Sequence, residues 1–272
     1  MELEYYRWWQ NKMRKEIKNV GMSLLSTKDF QDEKVVLNIL EKINNSPFVP
    51  DVYGFSEPLK YKYDIGDTLG PARIWMHEDV NKKLSKYNQA AGSLMLQAKN
   101  EEKGVFDFNW SKIENKPEFN YASFIVGIDY LTEDENYKEF TKLCKKMILE
   151  IEPIYGFITN YNLFNSRAPY NIKIRLPEIR WMNFYGKPYV EMFGKEKLLS
   201  APCYKAEVIT EDIISIQATE DLFKDIPDEV KSDIKMHLGE DAFVWRNKDA
   251  ISYKDGKVPN FDFSGVLFKK EN

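Results

Sequence analysis

The chain has 272 residues, 43% hydrophobic and 14% aromatic, with 30% charged and a formal net charge of −4. That length suits one large domain, residues 1–272, or two intimate halves at 1–165 and 166–272, and the aromatic content supports a sizeable core. A mildly acidic chain has no general electrostatic pull toward nucleic acid, and no local basic patch is long enough to nominate one.

The first residues, Met1 to Val20, combine Tyr5, Tyr6, Trp8 and Trp9 with Lys12, Arg14, Lys15 and Lys18. They read as a short amphipathic helix or an ordered arm. Acids at Glu2 and Glu4 and the lack of an apolar run argue against a secretory signal. No window approaches the roughly 18 apolar residues of a membrane span, so a cytoplasmic protein is expected. Asp29 to Asn44 reads as a helix with Val36, Ile39, Leu40 and Ile43 on one face. Pro47, Pro50, Gly54 and Pro58 punctuate a loop-rich region, after which Tyr61 and Tyr63 alternate with polar residues as in an edge strand.

His77 to Tyr87 is polar, as a short surface helix would be. Ala90 to Ala98 and Tyr121 to Tyr130 read as strands central in a sheet. Between them, Asn100 to Asn120 reads as a turn-rich excursion anchored by Trp110. Glu133 to Ile151 carries the clearest helical pattern: Tyr137, Phe140, Leu143, Cys144, Met147, Ile148 and Ile151 share one face. Thr132 and Glu135 have the spacing of a capping box, and Pro153 stops the helix. Cys144 falls in the apolar stripe. With Cys203 far away in sequence, both cysteines are expected as free thiols of a reducing compartment. Ile154 to Tyr161 is the next strand.

From Glu178 to Tyr185, alternation puts Ile179, Trp181, Asn183 and Tyr185 on one strand face and Arg180, Met182 and Phe184 on the other. Gly186 breaks the strand, Pro188 opens a helix with Tyr189, Val190 and Phe193, and Gly194 ends it. Tyr204 to Ile209 and Ile213 to Ala218 form a hairpin joined by Thr210 to Asp212. Pro227 to Leu238 is a helix with Gly239 just beyond it. Phe261, Phe263, Val266, Leu267 and Phe268 stitch the tail onto the core. Mixed strands, hairpins and helices of this kind predict an α+β fold with largely antiparallel sheet and packed helices, in two similar sheet-plus-helix halves sharing one core.

The chemistry-bearing residues are sparse. There are two histidines, His77 and His237, and no glycine-rich phosphate loop or nucleophile elbow. No catalytic set, metal ligand or cofactor is assigned. Asp51, Glu101 and Lys103 make a nuclease-like fragment, since an acid with Glu-x-Lys after a strand can hold magnesium beside a catalytic lysine. The same fragment also suits a solvated turn. The strongest electrostatic feature is Lys205 to Asp241, where eleven acids face four lysines. It suits a solvated helix face, or a surface for a basic protein partner approached by electrostatic steering.

The run Arg180 to Gly194, with Lys197 to Pro202 and His237-Leu-Gly-Glu-Asp-Ala-Phe243, resembles bacterial immunity proteins of polymorphic-toxin systems. The resemblance spans roughly residues 150–243. It implies a cytoplasmic, non-enzymatic protein that binds and neutralises a cognate toxin domain by occluding its active site. Trp181, Asn183 and Tyr185 are the candidate binding residues of the motif, although core roles fit them equally. Glu211, Asp212, Asp228 and Asp233 are those of the acidic surface. The competing expectations are a metal-dependent defence nuclease and a phage or host regulatory module that binds protein.

Overall fold

The computed structural model describes residues 18–163, 171–244 and 256–269. The expected arm within Met1 to Val20 therefore lies mostly outside the described residues. The chain order is β1 (Asn19–Ser26), α1 (Glu33–Asn44), β2 (Val52–Gly54), β3 (Tyr61–Lys62), α2 (Leu69–Met76), α3 (Glu78–Leu84), β4 (Gln89–Gln97), β5 (Val105–Ile113) and β6 (Asn120–Gly127). There follow α4 (Ile128–Leu131), α5 (Asp134–Ile151), β7 (Tyr155–Asn160), β8 (Met182–Tyr185), α6 (Lys187–Phe193), α7 (Lys195–Leu199), β9 (Lys205–Thr210), β10 (Ile213–Gln217) and α8 (Asp228–Leu238).

Ten strands form one sheet in the order β3-β2-β4-β5-β6-β1-β7-β8-β10-β9. Among the described residues every pairing between these ten strands is antiparallel, apart from which Leu176 and Phe243 form an isolated parallel bridge, so the fold is α+β. Two buried clusters divide the sheet by face. The larger holds Val20, Met22 and Leu24 of β1, Phe106 and Phe108 of β5, and the buried stripes of α1 and α5. The smaller holds Tyr155, Phe157, Tyr185, Ile214 and Ile216 with residues of α6, α7 and α8. Side chains alternate along a strand, and Ile158, Phe184 and Ile213 belong to the larger cluster. The two clusters therefore sit on opposite faces.

That switch of faces explains the composition of β7. All six of its residues are buried because both sides of the sheet are covered there. In β4 and β5, buried residues alternate with half-exposed ones, as expected where helices cover one face only. Phe106 and Phe124 stack with centroids 4.3 Å apart at the middle of the covered face. Each fully buried aromatic or aliphatic side chain of this kind contributes about 1.5–3 kcal/mol relative to exposure.

Several expectations need correction. The stretch Asn100 to Asn120 is not a turn-rich excursion: it contains β5, nine residues long and paired with β4 and β6. Phe106, Phe108 and Trp110 alternate with polar residues there, a period-2 signal that the charged and turn-forming flanks obscure. Trp110 is indeed buried, and its Nε1 donates to the Trp75 carbonyl at 3.0 Å. The strand expected to reach Tyr130 ends at Gly127, and Ile128–Leu131 is a helical turn. Helix α5 starts without the capping box: Glu133 is its N-cap with no side-chain cap bond, and Thr132 Oγ1 donates to Asp129 O instead.

Regular strand pairing in the second half begins only at Met182. The alternation read from Glu178 therefore fails upstream, and Trp181 joins the larger cluster with Phe184 instead of the face of Tyr185. The tail packs through Phe261 against Tyr189, with centroids 6.0 Å apart, and through fully buried Val266.

Candidate functional site

The motif that carries the family resemblance is interior. Trp181 is 4% exposed, and Asn183 and Tyr185 are 0% exposed. Asn183 and Tyr185 have no accessible surface with which to touch a partner and Trp181 has almost none, so in this structure the three pack as interior residues. Asn183 ties a turn to the sheet. Its Oδ1 accepts from Arg180 N at 3.1 Å and from Tyr155 Oη at 3.3 Å, and its Nδ2 donates to Arg180 O at 2.9 Å. Tyr185 meets Tyr155, Tyr189 and Phe193 with centroids 5.9–6.2 Å apart. Burial pushes its hydroxyl well above the usual range.

The glycines of the motif act through the backbone. At Gly186, a Cβ would collide with the Pro153 carbonyl and the Ile154 backbone. Gly194, at φ 89°, joins α6 to α7 in a conformation that L side chains rarely adopt.

Beneath the motif lies a feature the sequence did not announce. Glu178, 8% exposed in its side chain, pairs at 2.5 Å with Lys235 of α8, which is 3% exposed. Lys235 Nζ also donates to Val244 O at 3.0 Å, and Glu178 Oε1 accepts from Ile179 N at 3.0 Å. The neighbouring Arg180 guanidinium sits 5.1 Å over the Phe157 ring. Fifty-odd residues of chain separate Glu178 from Lys235, and no local pattern links them.

The acidic residues are arranged differently. Glu211 and Asp212 form the exposed tip of the β9–β10 hairpin, and Asp228, Glu229 and Asp233 are exposed on α8. Met236, 53% exposed, lies on the same helix surface, three residues after Asp233. The local lysines are already engaged. Lys205 pairs with Glu207 at 2.8 Å, Lys224 with Asp221 at 3.0 Å and Lys231 with Asp228 at 2.9 Å. Lys235 is withdrawn into the core by Glu178. Among the described residues, no ion pair engages Glu211, Asp212, Glu229 or Asp233. Asp228 and Glu229 also complement the N-terminal end of the α8 dipole, a structural reason for two of the acids.

The nuclease-like fragment has other partners. Asp51 Oδ2 accepts from Lys99 N at 2.7 Å, and Lys103 Nζ lies 6.0 Å from the Tyr130 ring centroid. The side chain of Glu101 lies outside the described residues. Among the described residues, no group of three or more His, Cys, Asp or Glu has the arrangement of a metal site. No helix among them is long and apolar enough to cross a membrane.

The site therefore belongs to an α+β protein whose motif residues are internal and whose acids are external. No protein-family description and no curated protein matches the sequence. Among solved structures, the chain is similar to the T6SS protein PA0821 of Pseudomonas aeruginosa, at 13% identity and a TM-score of 0.49. The match covers 81% of this chain and 73% of that chain.

Proposed function

We propose that this is a non-enzymatic immunity-type protein that binds a cognate toxin domain and neutralises it by covering its active site. One observation carries the reading: exposed acids on the β9–β10 hairpin tip and on α8, whose neighbouring lysines in the chain are already spent on ion pairs or buried. Among the described residues no ion pair engages the carboxylates of Glu211, Asp212, Glu229 and Asp233, which leaves them to a basic partner, and Asp228 adds to the field although it bonds Lys231. The partner is then a positively charged protein surface, steered in by long-range attraction and anchored by apolar contact at Met236. The resemblance of Arg180 to Gly194 and His237 to Phe243 to polymorphic-toxin immunity proteins supports the same reading.

The test is capture of partners by the tagged protein from its native cell at low and moderate salt, with mass spectrometry of what is retained. The expected result is one stoichiometric toxin-like protein, released as salt rises, whose activity the purified protein abolishes. Recovery of no such protein, together with an intrinsic catalytic activity of the purified chain, overturns the proposal.

A further inference from the structure

The two edges of the sheet are unequal. At one end, β3 is only two residues long. At the other, β9 runs for six residues with Val208 46% exposed and the preceding Tyr204 54% exposed. The register fixes which backbone groups face outward. Tyr204 N donates to Ala218 O at 3.2 Å, and Ala206 and Val208 stand opposite Ile216 and Ile214 at two-residue steps. In an antiparallel ladder these are the hydrogen-bonded positions, so Lys205 and Glu207 turn their N–H and C=O groups away from β10. Glu207 keeps both groups toward solvent, and a register irregularity near Ile209 ends the flat stretch.

We propose that β9 is a docking edge on which an extended, basic segment of the partner protein adds as an eleventh antiparallel strand. This rests on the reading that the partner is a basic protein. Charge selects that occupant. The edge is bounded by Glu207, by Glu211 and Asp212 at the hairpin tip, and by Glu220, which accepts from Tyr204 Oη at 3.1 Å. Lys205 on the same edge already pairs with Glu207 at 2.8 Å, which leaves Glu211, Asp212 and Glu220 as a net negative charge that a second copy would repeat and a basic segment would offset. On an added strand, basic side chains fall beside Glu207 on one face and apolar ones beside Val208 on the other. Main-chain bonds supply affinity and the alternating side chains supply selectivity.

A capped peptide of about eight residues alternating Lys and Val is the probe, long enough to match a typical strand. Its binding to the intact protein is followed by calorimetry and by amide hydrogen exchange. Slowed exchange of the Glu207 amide on binding is expected. Glu207→Pro removes the outward N–H without taking a β9–β10 bond, whereas Glu207→Gln removes only the charge. Glu207→Pro is expected to weaken the peptide at least about tenfold more than Glu207→Gln, at an unchanged melting temperature. The exchange measurement on the unaltered chain decides the matter if the proline variant fails to fold. Salt-sensitive binding that survives in Glu207→Pro overturns strand addition and leaves the acidic-surface reading intact. Lack of binding to the unaltered chain overturns strand addition alone, because partner capture tests the function separately. Concentration-dependent protection of Glu207 without peptide identifies a second copy as the occupant, and also overturns it.

Discussion

Lys235 of α8 and Glu178 of the segment before β8 form an ion pair at 2.5 Å, with side chains only 3% and 8% exposed. A pair this deep is poor evidence of added stability, because removing both charges from water costs nearly as much as their attraction returns. Removing one partner is a different matter. Lys235→Ala is expected to destabilise the protein by about 3–5 kcal/mol, and Glu178→Leu/Lys235→Met to recover most of that loss. Urea unfolding of the three proteins checks it.

Asp233 and Glu229 lie one helical turn apart on α8, and Glu211 and Asp212 adjoin on the hairpin tip. Neutralising all four as Gln or Asn is expected to slow association with the captured partner by about tenfold or more at low salt. The difference should shrink as salt screens the surface, with little change in melting temperature. Stopped-flow or surface-capture kinetics over a salt series measures both. An equal slowing at all ionic strengths would argue against steering.

Glu150, 13% exposed, receives Lys42 Nζ at 2.9 Å and Asn38 Nδ2 at 3.2 Å, with Lys28 Nζ at 3.9 Å. Burial raises its carboxyl, but the hydrogen bonds from Lys42 and Asn38 and the charges of Lys42 and Lys28 outweigh that, so the net shift is downward. A lowered folded-state value contributes stability above the ordinary carboxylate range and loses it as pH falls through the folded value. Glu150→Gln should therefore cost about 1 kcal/mol near neutrality, with the gap to the unaltered protein closing in acid. Denaturant titrations across pH test the sign.

Cys144 is 1% exposed in the α5 stripe, and burial pushes its thiol far up. Cys203 is half-buried and raised by burial, partly offset by the Lys205 N–H. At about pH 8, iodoacetamide should label Cys203 slowly and Cys144 only after unfolding, because the thiolate is the nucleophile. Peptide mapping by mass spectrometry reads the two sites separately.

Gly186 packs against the Pro153 carbonyl where β8 turns into α6. Gly186→Ala cannot be absorbed by moving a flexible side chain, because the obstacle is backbone. A loss of roughly 3 kcal/mol or more, or failure to fold, is expected in thermal unfolding.

Periodicity by itself determined α1, α5, α8 and the placement of Cys144 in a core stripe, because each of those helices buries one face of a regular repeat, and the turn at Thr210 to Asp212 marked the β9–β10 hairpin. It also located the excess of acids, which is a property of composition. It lost β5, where alternation was masked by charged and turn-forming flanks, and the segment before Met182, where no ladder holds the chain in strand geometry. Only the tertiary structure decided that Trp181, Asn183 and Tyr185 are interior while Glu211, Asp212, Asp228 and Asp233 are exposed. Helices pack on opposite faces of the two ends of one sheet, so strands in the overlap are covered twice. Which residues lose all their surface there is set by contacts between distant segments, and an alternating pattern cannot encode that.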